Sequence, residues 1–176
     1  MSSFALSQLL VGLALCSDIL SFQFKNRKQI VSCLLVSALL ISCHFMLLDH
    51  WTASALGLIA AMRFATSIFS TSKVFMYFFI VLTWIVSFAT YEGVLSILGC
   101  GGSTFGTLAS FCKVDRQLRQ LMFVATCLWI VHNFLAGSPG AVILEIVFIS
   151  SNVIGYYRFY IRPEKQILSP KKPIRK

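Results

Sequence analysis

The stretch CLWIVHNFLAGSPGAVILEIVFISSNVIGYY, Cys127 to Tyr157, decides the fold. It reads as an apolar helix, a tight Gly137-Ser138-Pro139-Gly140 turn and a second apolar helix. Each helix carries polar groups inside its apolar run: His132 and Asn133 in the first, Glu145 and Asn152 in the second. An earlier stretch, ISCHFMLLDHWTASALGLIAAMRFATSIF from Ile41 to Phe69, has the same build. At an offset of 88, His44 falls on His132, Leu47 on Leu135, Ala53 on Ala141 and Leu56 on Leu144 (44 + 88 = 132, and so on). The same offset places Lys25 on Lys113, Lys28 on Arg116 and Gln29 on Gln117. One ungapped offset that matches histidine to histidine and lysine to lysine reads as a tandem duplication.

Hydrophobic residues make up 57% of the chain and charged residues 12%, and mean hydropathy is +0.82. A soluble domain carries about 25% charged residues, so most of this chain has to face lipid or other apolar helices. The net charge of +9 does not point to nucleic acid, because the basic residues sit in short loops and a tail between apolar spans. The expected fold is an all-α membrane protein with seven transmembrane helices. The spans are placed at about 4–24, 30–48, 52–69, 74–90, 94–112, 118–136 and 139–160. No basic group precedes the first span, so it does not read as a cleaved secretory signal. Gly99, Gly102, Gly106 and Ser110 form a small-residue stripe in span five, suited to close helix packing.

Fourteen of the fifteen basic residues fall in the loops after spans one, three and five, at the end of span seven, or in the tail. The positive-inside rule then predicts an N-terminus outside and a cytoplasmic tail. The fifteenth, Arg63, lies inside span three. The offset divides the chain into a first triple-helix unit (1–70), a linker helix (71–93), a second triple-helix unit (94–161) and a basic tail (162–176). An odd number of intervening spans makes this 3+1+3 repeat parallel rather than inverted.

These motifs resemble a known family. The order His44…Arg63 in spans two and three, and Trp129, His132, Asn133, Gly137, Ser138, Gly140, Glu145, Ser151 and Asn152 in spans six and seven, are similar to the YgjV family of bacterial inner-membrane proteins. The resemblance implies a multi-pass protein of the inner membrane and no defined activity. The 3+1+3 layout more distantly resembles the SWEET and PQ-loop transporters, which move small solutes between two triple-helix bundles. This chain departs from their pattern in having no Pro-Gln pair and no proline in spans one, two, five or six.

Ionisable residues at membrane depth are expensive and usually face a partner or a wet cavity. Asp18 and Arg63 each lie seven residues from the basic loops, about 10 Å deep, and are expected to approach each other directly or through a water. His44, His132 and Glu145 lie about 7–8 Å from the opposite side, and Asn152 continues the face of Glu145 inward. Two readings compete for each. Buried His44, His132 and Asn133 serve as hydrogen-bonding glue between helices, or they line a site. Glu145 has no basic residue at its depth and its counterpart in the first unit is Gly57, which favours a binding role.

Enzyme signals are weak. The six cysteines form no CxxC, and no HExxH, GxSxG or phosphate-binding loop occurs. No enzyme activity, cofactor or metal is expected. The function expected is a carrier of a small polar solute with its site between the two units, candidate residues being Glu145, Asn152, His132, Asn133 and His44. The alternative is a non-transporting scaffold or regulatory protein. The expected partners are the lipid bilayer, a small polar solute and, in a homo-oligomer, further copies of the chain. Reporter fusions after Lys28 and after Trp51 are expected to report cytoplasm and exterior respectively, and the reverse pattern would overturn the orientation.

Overall fold

Where no water can satisfy the main chain, an apolar run has to close its own hydrogen bonds, and the helix is the local way to do so. The computed structural model describes residues 3–47, 51–89, 91, 93–135 and 139–162. Seven α-helices follow one another: α1 (Ser3–Ser21), α2 (Arg27–Leu47), α3 (Trp51–Phe69), α4 (Lys73–Ala89), α5 (Val94–Ser110), α6 (Asp115–Leu135) and α7 (Pro139–Tyr156). A π-helical turn over Tyr157–Ile161 extends α7. The described residues contain no strand. Three segments are long and apolar enough to cross a membrane, 27–44, 115–135 and 142–161, and four shorter apolar helices accompany them. The expected Asp49-His50 turn, the Gly137-Ser138 turn and the tail beyond Arg162 lie outside the described residues.

Local signals set the ends. Asn26 caps α2, its side-chain oxygen accepting the Lys28 amide at 2.9 Å. Ser72 does the same for α4 through the Val74 amide at 3.3 Å. Gly93, at φ +76°, makes the turn into α5 that a side chain would strain. Asp115 places a negative charge at the positive end of α6. Helices α2 and α6 thus begin at Arg27 and Asp115, three residues before the expected Ile30 and Leu118. That shift moves Arg27 from loop to helix and sets Arg119 a full turn inside α6.

Consecutive helices α1, α2 and α3 pack against one another, as do α5, α6 and α7, while α4 packs on α5. The two sets meet through α1 with α7 and α3 with α5. Their common core sits near the end that carries Lys25, Lys28 and Lys113, called here the basic end. It joins Phe22, Ile30, Leu34 and Phe64 to Ala109, Leu118 and Met122. Phe22 also meets Phe148 of α7 edge-on at 4.9 Å. Large apolar side chains such as Leu13, Phe78, Ile85 and Ile146 point outward and are exposed, a surface fit for lipid.

Two arginines close the basic end, and both are buried: Arg27 is 8% exposed and Arg119 1%. Reading them as loop charges is therefore corrected. Arg27 of α2 donates to the carbonyls of Ser110 and Cys112 at the end of α5, and to Ser67 O at the end of α3 at 2.8 Å. Arg119 of α6 donates to Phe22 O at 2.8 Å and to Phe24 O, just past the end of α1. Each set thus sends an arginine to the orphan carbonyls of the other set's first helix. Ser151 of α7 adds a bond to Ile19 O at 2.7 Å. The approach is close enough that a Cβ at Gly155 would overlap the Phe22 carbonyl and the Arg119 guanidinium. Gly155→Ala is expected to lower the melting temperature of the purified protein, by the overpacking cost of about 1–3 kcal/mol. Gly12→Ala, where a Cβ meets nothing within 4 Å, is expected to leave it unchanged.

Candidate functional site

The helices are held together at the basic end and part above it. The space between them is a cavity of about 890 Å³ to which all seven helices contribute. Its lower wall holds Phe64, Met122 and Phe148, beside the core, and it extends to Leu95 and Leu144 near the opposite end. Most of the wall is apolar. Acidic, basic and imidazole side chains interrupt it: Asp18 from α1, Arg63 from α3, His132 from α6 and Glu145 from α7.

Arg63 reaches from α3 across to α5. Its Nη1 donates to Thr107 Oγ1 at 3.0 Å and to Ser103 O at 3.4 Å. Its guanidinium carbon lies 4.8 Å from the centre of the Phe64 ring. Gly106 leaves room for it, since a Cβ there would stand 3.8 Å from Nη2. Nε has no hydrogen-bond partner. Asp18 is hydrogen-bonded by Ser37 of α2. The expected direct pairing of Asp18 with Arg63 is not formed: among the described residues the one ion pair joins Arg119 to Asp115 at 3.8 Å. The two instead share one cavity, because the Arg63 side chain follows acceptors on α5 rather than turning to α1. Glu145 forms no ion pair among the described residues and shares the cavity wall with Asp18.

His132 Nδ1 donates to Asn133 Oδ1 at 3.1 Å. In the neutral ring this makes Nε2 the acceptor. Nε2 lies on the side of Gly99, which also lines the cavity. The indole of Trp129 packs edge-on to His132, with ring centres 5.0 Å apart, and lies against Gly102. Gly99 and Gly102 of α5 are thus places where α6 aromatics approach closely.

Of the five candidate binding residues, the structure brings Glu145 and His132 to the cavity and leaves the others out. Asn133 is beside the wall and holds His132. His44 is buried, with Nδ1 3.0 Å from Ser7 O, and ties α2 to α1. Asn152 is 2% exposed and donates to Arg119 O at 2.8 Å, so it binds α7 to α6. The polar track down α7 is corrected accordingly: Glu145 and Asn152 share a face, but Asn152 has passed below the cavity into the contact between α6 and α7. Trp84 of α4 is exposed and donates to Thr104 Oγ1 at 3.1 Å.

Sequence reading missed the residues of α4. Expected only as a linker helix, it places Thr83 and Ser87 in the cavity wall. Their four-residue spacing in an otherwise apolar helix places both on one face, a legible signal. Among the described residues no three His, Cys, Asp or Glu side chains gather to hold a metal ion.

A family model described as a bacterial inner-membrane protein family, Imp-YgjV, matches residues 5–163. The chain is 30% identical over 170 residues to Inner membrane protein YgjV of Escherichia coli (strain K12), covering 97% of this chain and 92% of that one. No solved structure matches it. Since Glu145 supports no ion pair that the fold needs, Glu145→Gln is expected to keep expression and melting temperature near wild type. A large loss of folded protein would instead assign Glu145 to the architecture.

Proposed function

The chain belongs to the YgjV family of bacterial inner-membrane proteins, and we propose that it is a carrier of a small polar solute across that membrane. The observation that carries this reading is the cavity: ionisable groups of both signs, Asp18, Arg63 and Glu145, line one space without pairing directly to one another. Buried charges that only hold helices together are normally matched by direct partners, since an unmatched one is costly. Charges kept apart around a space suited to a small ligand are the arrangement a site needs.

In this reading all seven helices span the bilayer, each having 17–21 residues, the length range a spanning helix needs. Helices α1–α3 and α5–α7 act as two triple-helix units in a parallel repeat, joined by α4, as in SWEET-like carriers. The basic end is cytoplasmic and the N-terminus outside. The arginine contacts and the apolar core then close the cytoplasmic side while the cavity extends outward, an outward-facing state. Opening inward requires the units to tilt and Arg27 and Arg119 to exchange their acceptors. The protein performs no chemical step.

Cys100 lines the cavity and supplies a reporter for this cycle. With the other five cysteines replaced by serine or alanine, a membrane-impermeant thiol reagent is expected to label Cys100 in reconstituted vesicles from either side. Labelling from neither side would replace the carrier reading with that of a closed scaffold.

A further inference from the structure

Each class of polar solute leaves a different account of the three charges. An uncharged polyol would engage the serines and threonines of the wall and leave all three charges as they are. A simple anion would satisfy Arg63 and add repulsion at Asp18 and Glu145. A simple cation would do the reverse, since Arg63 stays charged under all ordinary conditions. A solute with one group of each sign matches all of them at once. We propose that the cavity takes a zwitterion of amino-acid size, its anionic group on Arg63 and its cationic group between Asp18 and Glu145. This rests on the reading of the cavity as a solute site.

The positions of the atoms agree. Arg63 Nη1 is held by Thr107 and Ser103, which fixes the guanidinium against α5. Nη2, beside Gly106, makes no such bond, so it faces the space with donors to spare. A planar guanidinium anchored at one nitrogen and open at another is a directional receptor for a carboxylate. Ser37 orients Asp18 from the α2 side. Asp18 and Glu145 both line the cavity, so a single cationic group between them meets two acidic side chains at once. The cavity, at about 890 Å³, leaves room beyond a bound ammonium and carboxylate, and its apolar walls would accommodate a side chain. The anionic contact, Arg63, comes from the first helix set, and the cationic contacts come from both, Asp18 from the first and Glu145 from the second. A bound zwitterion therefore bridges the sets, as a carried solute has to.

The test is thermal unfolding of the full chain in a non-ionic detergent against matched probes. The probes are a panel of α-amino acids, their methyl esters as cations, their N-acetyl derivatives as anions, and uncharged sugars. At least one free amino acid is expected to raise the melting temperature by roughly 5–10 °C at saturation, with its ester and N-acetyl form giving little. Arg63→Gln is expected to abolish the preference for the amino acid over its ester, and Arg63→Lys, which keeps the charge, to retain part of it. Glu145→Gln is expected to weaken the amino acid while leaving the unliganded melting temperature near wild type. Equal stabilisation by esters, by N-acetyl forms or by sugars overturns the proposal, as does no stabilisation by any probe. Stabilisation confined to a short-chain phosphatidylethanolamine, added as a further probe, would assign the site to a lipid headgroup and also overturn it. The carrier reading stands or falls separately, on the labelling of Cys100.

Discussion

A helix ends in carbonyl groups that its own backbone cannot satisfy, and in a membrane there is little water to take them. In this protein the ends of α1, α3 and α5 meet near one side, and two arginines are driven inward to supply the donors. A hydrogen bond from a charged donor contributes about 1.5–3 kcal/mol, so these five contacts add substantially to what the small shared core holds. They also fix where the helices may separate. With the basic end drawn tight by guanidinium groups and by the close approach at Gly155, the remaining length of each helix diverges enough to leave the cavity.

The same arrangement separates two kinds of buried charge. Arg27 and Arg119 each hold main-chain oxygen of the other helix set and do not line the cavity, so they belong to the frame. Arg63 is held at one nitrogen and faces open space, as do Asp18 and Glu145. His132 stands between these cases: Asn133 holds one ring nitrogen, and the other is left as an acceptor on the cavity side. The helix glue and the candidate site are therefore made of the same residue types, and only their position relative to the floor distinguishes them.

That distinction explains what was legible in the sequence. The seven helices were, because apolar runs punctuated by Asn26, Ser72 and Gly93 leave few alternatives. Counting residues along the helices placed Asp18 with Arg63 in one layer and His132 with Glu145 in another, but did not show that both layers line one cavity. Rotation about the helix axis was not legible. A seven-residue step keeps Asn152 under Glu145 on the same face, yet that face turns from the cavity to α6 within two turns, and His44 spends its ring on α1. The arginine contacts were hidden for another reason. Arg119 was placed one residue inside span six, a hint that it is no loop residue, but its acceptors are carbonyls, which every residue carries.

Contacts to main-chain oxygen have a further consequence, for divergence rather than stability. Because Arg27 and Arg119 bind the backbone at positions 22, 24, 67, 110 and 112, the identities of those residues do not enter the bond. Side chains there can drift, within what the packing allows, without weakening it. Correlated substitution between partners would not arise, so a search for co-varying pairs would pass over the strongest joint between the two halves. The arginines themselves have no such freedom, since a lysine offers no fork to span two carbonyls at once.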